Sequence, residues 1–282
     1  MGTAVEPIGR MPPYGPEHLS ILALTVVASI AVVLVGRRIR GTALEERVLR
    51  TGGGVMLTVT IAWTVWGMLP GNWNIDQSLP FHYSDALRLI TAVALISRAG
   101  WAIAICYFWG LTLNVQSIIT PDLNYFDYPV LEFVVYWFLH IAAFVVPILF
   151  VWGLGYRPTW RGYGVTYLAT VAWAGIAFVA NAITGANYGY LSRGPDGPSI
   201  LDLLGPWPIY IFWEAVIIAV VWALMTWPWE TRKAAAMPMV DRLGAVRRRP
   251  QRHDADRDRV LSDRAESPLL HPDRHRMPDR HP

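Results

Sequence analysis

Seven apolar stretches of helical length, separated by polar connections, limit what this chain can fold into more than any other feature. They run roughly over residues 19–36, 55–70, 81–97, 101–119, 130–152, 165–184 and 206–228. About 20 mostly apolar residues cross the hydrocarbon core of a bilayer as a helix, and lipid offers no hydrogen-bond partner to an open backbone. The runs are therefore expected to be helices. The second and third are short, and need little tilt or a locally thinned bilayer. The expected fold is all-α: a polytopic membrane protein with a bundle of seven transmembrane helices over residues 19–230. A Pro/Gly-rich N-terminal tail, 1–18, would lie at the surface or be disordered, and a polar tail would follow over 231–282. Positive charge follows the first apolar run instead of preceding it, so that run reads as a retained helix and not as a signal peptide.

Charge in the connections gives the sidedness. Arg37, Arg38, Arg40, Arg47 and Arg50 follow the first run, Arg98 the third, Arg157 and Arg161 the fifth, and Arg232 and Lys233 the seventh. The intervening connections, 70–80 and 120–129, carry no Arg or Lys, and 185–205 carries only Arg193. Basic loops stay in the cytoplasm, so the alternation puts the N-terminus outside and the C-terminus in the cytoplasm.

Composition agrees: 54% of the 282 residues are hydrophobic and only 16% charged, which excludes an ordinary soluble domain. A single cysteine, Cys106, excludes an intrachain disulfide. Residues 1–230 hold 11 Arg/Lys against 13 Asp/Glu, a balance of −2, and residues 231–282 hold 13 against 8, a balance of +5. The basic charge thus belongs to the tail, which has too few apolar residues to bury a core and reads as disordered. Its Arg247-Arg248-Arg249 run suits anionic lipid headgroups; the alternative is a solvated tail that only fixes topology. The tail histidines His253, His271, His275 and His281 lack metal-ligand spacing. Neither a metal nor a cofactor is expected. No phosphate-cradling glycine loop and no nucleic-acid motif occurs, so the partners expected are membrane lipids, with protein partners unassigned.

Polar residues inside apolar runs are costly and mark candidate sites. The densest group is Leu79-Pro80-Phe81-His82-Tyr83-Ser84-Asp85-Ala86-Leu87-Arg88. At about 1.5 Å per helical residue, Ser84 lies about 6 Å below the outer end of its run, Arg88 and Glu214 about 12 Å, and His140 about 15 Å. Gln116 and Asn181 lie about 6 Å below theirs. Polar groups from five helices therefore gather in the outer half. Ser84 and Arg88 share a helix face, Gly110, Asn114 and Ser117 form a stripe, and Glu132, Tyr136 and His140 run along one side of the fifth helix. Arg88 and Glu214, of opposite charge at matching depth, are expected to pair. For His140 the alternative is a buried neutral imidazole bonded to a tyrosine or a backbone carbonyl. For His82, Asp85 and Arg88 it is a wet interface with a snorkelling arginine.

Several blocks resemble the YwaF-like family of bacterial integral membrane proteins, which has animal relatives. They are Leu79 to Asp85, Tyr107-Phe108-Trp109-Gly110-Leu111, Gln116, Thr120-Pro121-Asp122-Leu123, His140, Gly155-Tyr156-Arg157-Pro158, Asn187-Tyr188-Gly189-Tyr190-Leu191 and Leu201 to Pro208. The resemblance covers roughly residues 50–228. It implies a bacterial plasma-membrane protein and, through the animal relatives, an acyltransferase that moves fatty acyl chains between phospholipids by way of an intramembrane cysteine. This chain has Ser84 where that cysteine is usual. A hydroxyl is a weaker nucleophile than a thiolate and needs a general base.

Two functions follow from these residues. In the first, an acyl-lipid enzyme, Ser84 attacks an acyl ester and His140 or His82 takes the proton, while Arg88, Gln116, Asp122, Asn181, Asn187 and Glu214 bind the substrate. In the second, the same outer cavity serves a non-enzymatic binder or transporter of a small or lipid-like ligand. A structural partner subunit is a third class. Against the enzyme stand the missing Gly-x-Ser-x-Gly elbow and the depth difference between Ser84 and His140. Against the transporter stand the lack of an inverted repeat and of discontinuous helices.

Overall fold

A computed structural model describes residues 8–194 and 200–235 of the chain. Of the tail expected to be disordered, residues 231–235 continue the last helix, while 236–282, with the Arg247-Arg248-Arg249 run, lie outside the described residues, as do 1–7 and 195–199. The protein is an all-α polytopic membrane protein, and among the described residues six helical segments are long and apolar enough to cross a membrane; of the seven expected spans, the one over 81–97 falls short. Strand is limited, among the described residues, to β1 (Gly9–Arg10) and β2 (Asn124–Tyr125), paired antiparallel.

The first helix, α1 (Pro16–Ile39), has proline in its first turn, Glu17 beside it and Arg37 and Arg38 in its last turn. That placement suits both the free N–H groups and the dipole of a helix. Helix α2 (Ala43–Gly67) starts 12 residues before the apolar run that signalled it. Its first turns are polar and held by a Glu46–Arg50 ion pair of 2.8 Å, so hydropathy does not see them. Helix α3 (Tyr83–Ser97) has 15 residues and ends at Arg98, whose φ is 54°. Helices α4 (Gly100–Leu111) and α5 (Leu113–Ile119) make one span, broken at Thr112, where φ is −128° and ψ −76°. Helix α6 (Pro129–Ile148) contains Pro147 and runs into a π-helical turn over Leu149–Gly153. Removing one N–H from the ladder so close to the wider turn is a usual cause of such a change. Helix α7 (Trp160–Thr184) starts at Thr159, whose Oγ1 accepts from the Gly162 N–H, and ends at Gly185 with φ 76°. Helix α8 (Ile209–Ala235) is the last.

Helix α4 lies at the centre. Every residue from Ala102 to Gly110 is buried, and α3, α6 and α7 pack around it. A helix that is apolar all round belongs in such a position. Gly110 is needed there: a Cβ on it would stand 2.5 Å from the Ala143 carbonyl oxygen of α6. By contrast α1 and α7 leave Val26, Val27, Ile30, Leu168 and Ile183 exposed, as lipid-facing helices do.

The connections collect at two ends. At one, residues 8–15, 68–82, 120–128, 185–194 and 200–208 bond to one another. Most of residues 8–18 lie there at the surface. Main-chain pairing with residues 123–125 holds the segment, and Met11 and His18 are fully buried. His18 accepts from the Tyr14 N–H through Nδ1 and donates from Nε2 to the Ile118 carbonyl at 2.8 Å. At the other end lie the short turns 40–42, 98–99 and 154–159, with the arginines.

Candidate functional site

A cavity of about 460 Å³ opens among the long loops and runs down between the helices. Residues from α2, α3, α5, α6, α7 and α8 line it. Polar residues that the sequence put at outer depths on four helices, namely Ser84, Arg88, Gln116, His140 and Glu214, meet on its wall.

The first turn of α3 is built from its own side chains. The His82 N–H donates to Asp85 Oδ2 at 3.0 Å, which satisfies one of the free donors at the helix start. The same carboxylate takes the Arg88 guanidinium at 2.6 Å. Arg88 then folds back on Ser84, donating from Nε to its carbonyl at 3.1 Å and from Nη2 to Oγ at 3.3 Å. The expected Arg88–Glu214 pair is therefore corrected: the partner of Arg88 is Asp85, one turn away. An i,i+3 partner is reached without a second long side chain crossing the cavity. Glu214 lines the cavity and has no ion-pair partner among the described residues.

His140 is 7% exposed, on α6, beside Asn114 in the first turn of α5. Asn114 Nδ2 donates to the His140 carbonyl at 2.9 Å, and Asn114 Oδ1 lies 2.8 Å from His140 Nδ1. The Tyr136 ring stands against the imidazole, with centroids 4.3 Å apart, and the Tyr136 hydroxyl donates to the Ser117 carbonyl at 2.9 Å. Tyr83 adds a bond to Ser117 Oγ at 3.1 Å. His140 is thus a buried imidazole bonded to an amide side chain instead of a tyrosine or a backbone carbonyl, and it is also on the cavity wall. No hydrogen bond joins Ser84 to His140. His82 lines the cavity too, but its Nε2 donates to the Asp76 carbonyl at 2.8 Å and its ring edge packs on Tyr188. That ring nitrogen is already committed, as is Nδ1 of His140.

The remaining site candidates divide. Gln116 is on the wall. Asp122 is at the mouth, paired with Arg10 at 3.0 Å and accepting from the Tyr190 hydroxyl. Asn181 and Asn187 are elsewhere and hold loops. Asn181 exchanges two bonds with the Tyr188 backbone, at 3.0 and 2.7 Å. Asn187 binds the Arg193 carbonyl and N–H, and its own N–H reaches Asp76 Oδ1. The Tyr188 hydroxyl donates to the Ile75 carbonyl, closing the same cluster. Burial and the nearby Asp76 carboxylate push the Tyr188 phenol up to about 12, and burial with Asp122 does the same to Tyr190. Both stay O–H donors at any ordinary pH.

A family model, that of the TMEM164 family, matches residues 13–226. The chain belongs to the TMEM164 family. The match takes in the segment from the N-terminal loop to most of α8, and the whole cavity with it. No curated protein and no solved structure matches the chain.

Two parts of this TMEM164-family site were not foreseen from sequence. The Asp85–Arg88 pair had a signal, opposite charges three apart on one helix. Glu132, in the first turn of α6, accepts from the Phe126 and Tyr128 N–H groups at 2.8 and 3.4 Å and so shapes the loop over the cavity. An acid in a first helical turn is the general signal for that role.

Proposed function

We propose that the protein is an acyl-lipid enzyme, a phospholipid acyltransferase or transacylase, working from this intramembrane cavity. One observation carries the reading: a hydroxyl held by a guanidinium and an imidazole held by an amide line the same cavity. Ser84 Oγ attacks the carbonyl carbon of an acyl ester while its proton passes to His140 Nε2. The lyso-lipid leaves as an alcohol by taking that proton back, and the acyl group remains on Ser84 until a second lipid hydroxyl takes it by the same route. Arg88 steadies the developing alkoxide through a charge-assisted bond. Gln116 and Asp122 sit where a headgroup would enter, and Glu214 lies deeper on the wall. The YwaF-like resemblance supports the same reaction class, with Ser84 in the place of the usual cysteine, and supports a bacterial plasma-membrane location. The loop charges support an outward-facing mouth and a cytoplasmic C-terminus.

The missing Ser84–His140 bond favours the second reading, a binder or transporter of a lipid-like ligand in the same cavity. A lipid-like fluorophosphonate separates the two. It should label Ser84, and His140→Ala should slow that labelling by roughly 10²–10⁴-fold. Ser84→Ala should keep lipid binding without turnover, and Ser84→Cys should keep or raise activity. Turnover by Ser84→Ala at the unmodified rate would sink the enzyme and leave the binder.

A further inference from the structure

We propose that Asn114 is the positioning residue of His140: it fixes the imidazole as the Nδ1–H tautomer and turns the lone pair of Nε2 to the cavity. The consequence for catalysis rests on the acyl-transfer reading above; the hold on the ring does not.

The assignment follows from the pair of bonds. Asn114 Nδ2 donates to a backbone carbonyl, which can only accept, so the amide orientation is settled. Asn114 Oδ1 is then the atom facing His140 Nδ1, and a carbonyl oxygen can only accept, so Nδ1 carries the proton. A neutral imidazole has one N–H, which leaves Nε2 as the basic nitrogen. Among the described residues, the fully buried side-chain polar atoms without a partner are Thr60 Oγ1 and Trp137 Nε1. His140 Nε2 has no hydrogen bond to a described residue yet is not among them, so it reaches open space, and the open space beside His140 is the cavity.

The packing makes the hold stiff. Asn114 is 1% exposed. One turn before it, Gly110 lets α4 close on Ala143 and Pro147 of α6, and that approach brings a side chain as short as asparagine within reach of His140. The Tyr136 ring covers the imidazole and is anchored by its own hydroxyl. An oriented base whose far nitrogen bonds a third group is the arrangement by which unrelated acyl-transfer sites keep their histidine in one tautomer.

The test is nitrogen-15 NMR on the histidine-labelled full chain in lipid bilayers, comparing wild type, Asn114→Leu and Asn114→Asp, with fluorophosphonate labelling of Ser84 measured against pH alongside. His140 in wild type should give a protonated Nδ1 and an unprotonated Nε2. Asn114→Leu should move it to the other tautomer or a mixture, and slow Ser84 labelling at least about tenfold with probe binding retained. Asn114→Asp keeps the acceptor and should keep the tautomer. Its carboxylate favours the imidazolium, so the acid limb of the labelling profile should move to higher pH. Should Asn114→Leu not fold, the wild-type tautomer and the Asp profile still decide. A wild-type His140 protonated on Nε2, or an unchanged tautomer in Asn114→Leu, overturns the proposal. The expected tautomer with an unreactive Ser84 would instead sink the acyl-transfer reading and leave the hold of Asn114 on the ring standing.

Discussion

The two ends of the bundle are made differently. At the loop-rich end, four separate stretches of chain bond to one another: β1 pairs with β2, Tyr188 reaches Ile75, Asn187 reaches Asp76, and Arg10 reaches Asp122. At the arginine end the turns are short and the contacts few and exposed, such as Arg98 to Glu45 at 3.3 Å and the Arg37 guanidinium to the Trp152 carbonyl at 3.1 Å. The cavity opens at the first end. Long connections are tolerated there because they fold on each other and form its rim, whereas the arginines need only to be on one side of the membrane. One end is specified by geometry and the other by charge count.

That contrast can be broken at several points. The largest effect is one of sidedness. Asp127→Cys, on the loop-rich end, should react with an impermeant maleimide on intact cells, and Arg157→Cys should react only after permeabilisation; the reverse pattern would invert the assigned topology. Both positions are exposed, and the native Cys106 is fully buried and should stay silent. Next is stability at the loop-rich end. Asn181→Leu strips a buried N–H and carbonyl of Tyr188 of their partners and should cost about 2–4 kcal/mol, read as a lowered unfolding midpoint in detergent. The smallest effect belongs to the other end. Arg98→Ala removes ion pairs whose arginine is 43% exposed, and should change the same midpoint by less than about 1 kcal/mol. A loss as large as that of Asn181→Leu would mean the arginine end is built, not merely charged.

Much of the membrane architecture could be read from the chain because hydropathy reports it directly: the runs at 101–119 and 130–152 fall within a residue of their spans. The start of α2 was hidden, since Glu45, Glu46, Arg47 and Arg50 continue the helix past the apolar stretch. Depth arithmetic put Ser84, Arg88, Gln116, His140 and Glu214 in one leaflet, and they do meet. Depth says nothing of azimuth, however. It could not tell that Arg88 turns along its own helix to Asp85, or that Asn181 turns to Tyr188 instead of the cavity. Nor could a local pattern reveal the packing of residues 8–18, whose distant partners are 100 or more residues away.

Helix α3, expected from sequence to be a span, has only 15 residues, about 22 Å, and is not among the segments long enough to cross a membrane. If α3 does cross, a hydrocarbon layer of about 30 Å is expected to thin around it. The surface beside the mouth of the cavity should therefore be dimpled, with headgroups drawn down toward Ser84. Under the proposed acyl-lipid reading, a lipid there need not climb out of the bilayer to present its ester linkage; sideways diffusion into the dimple would be enough.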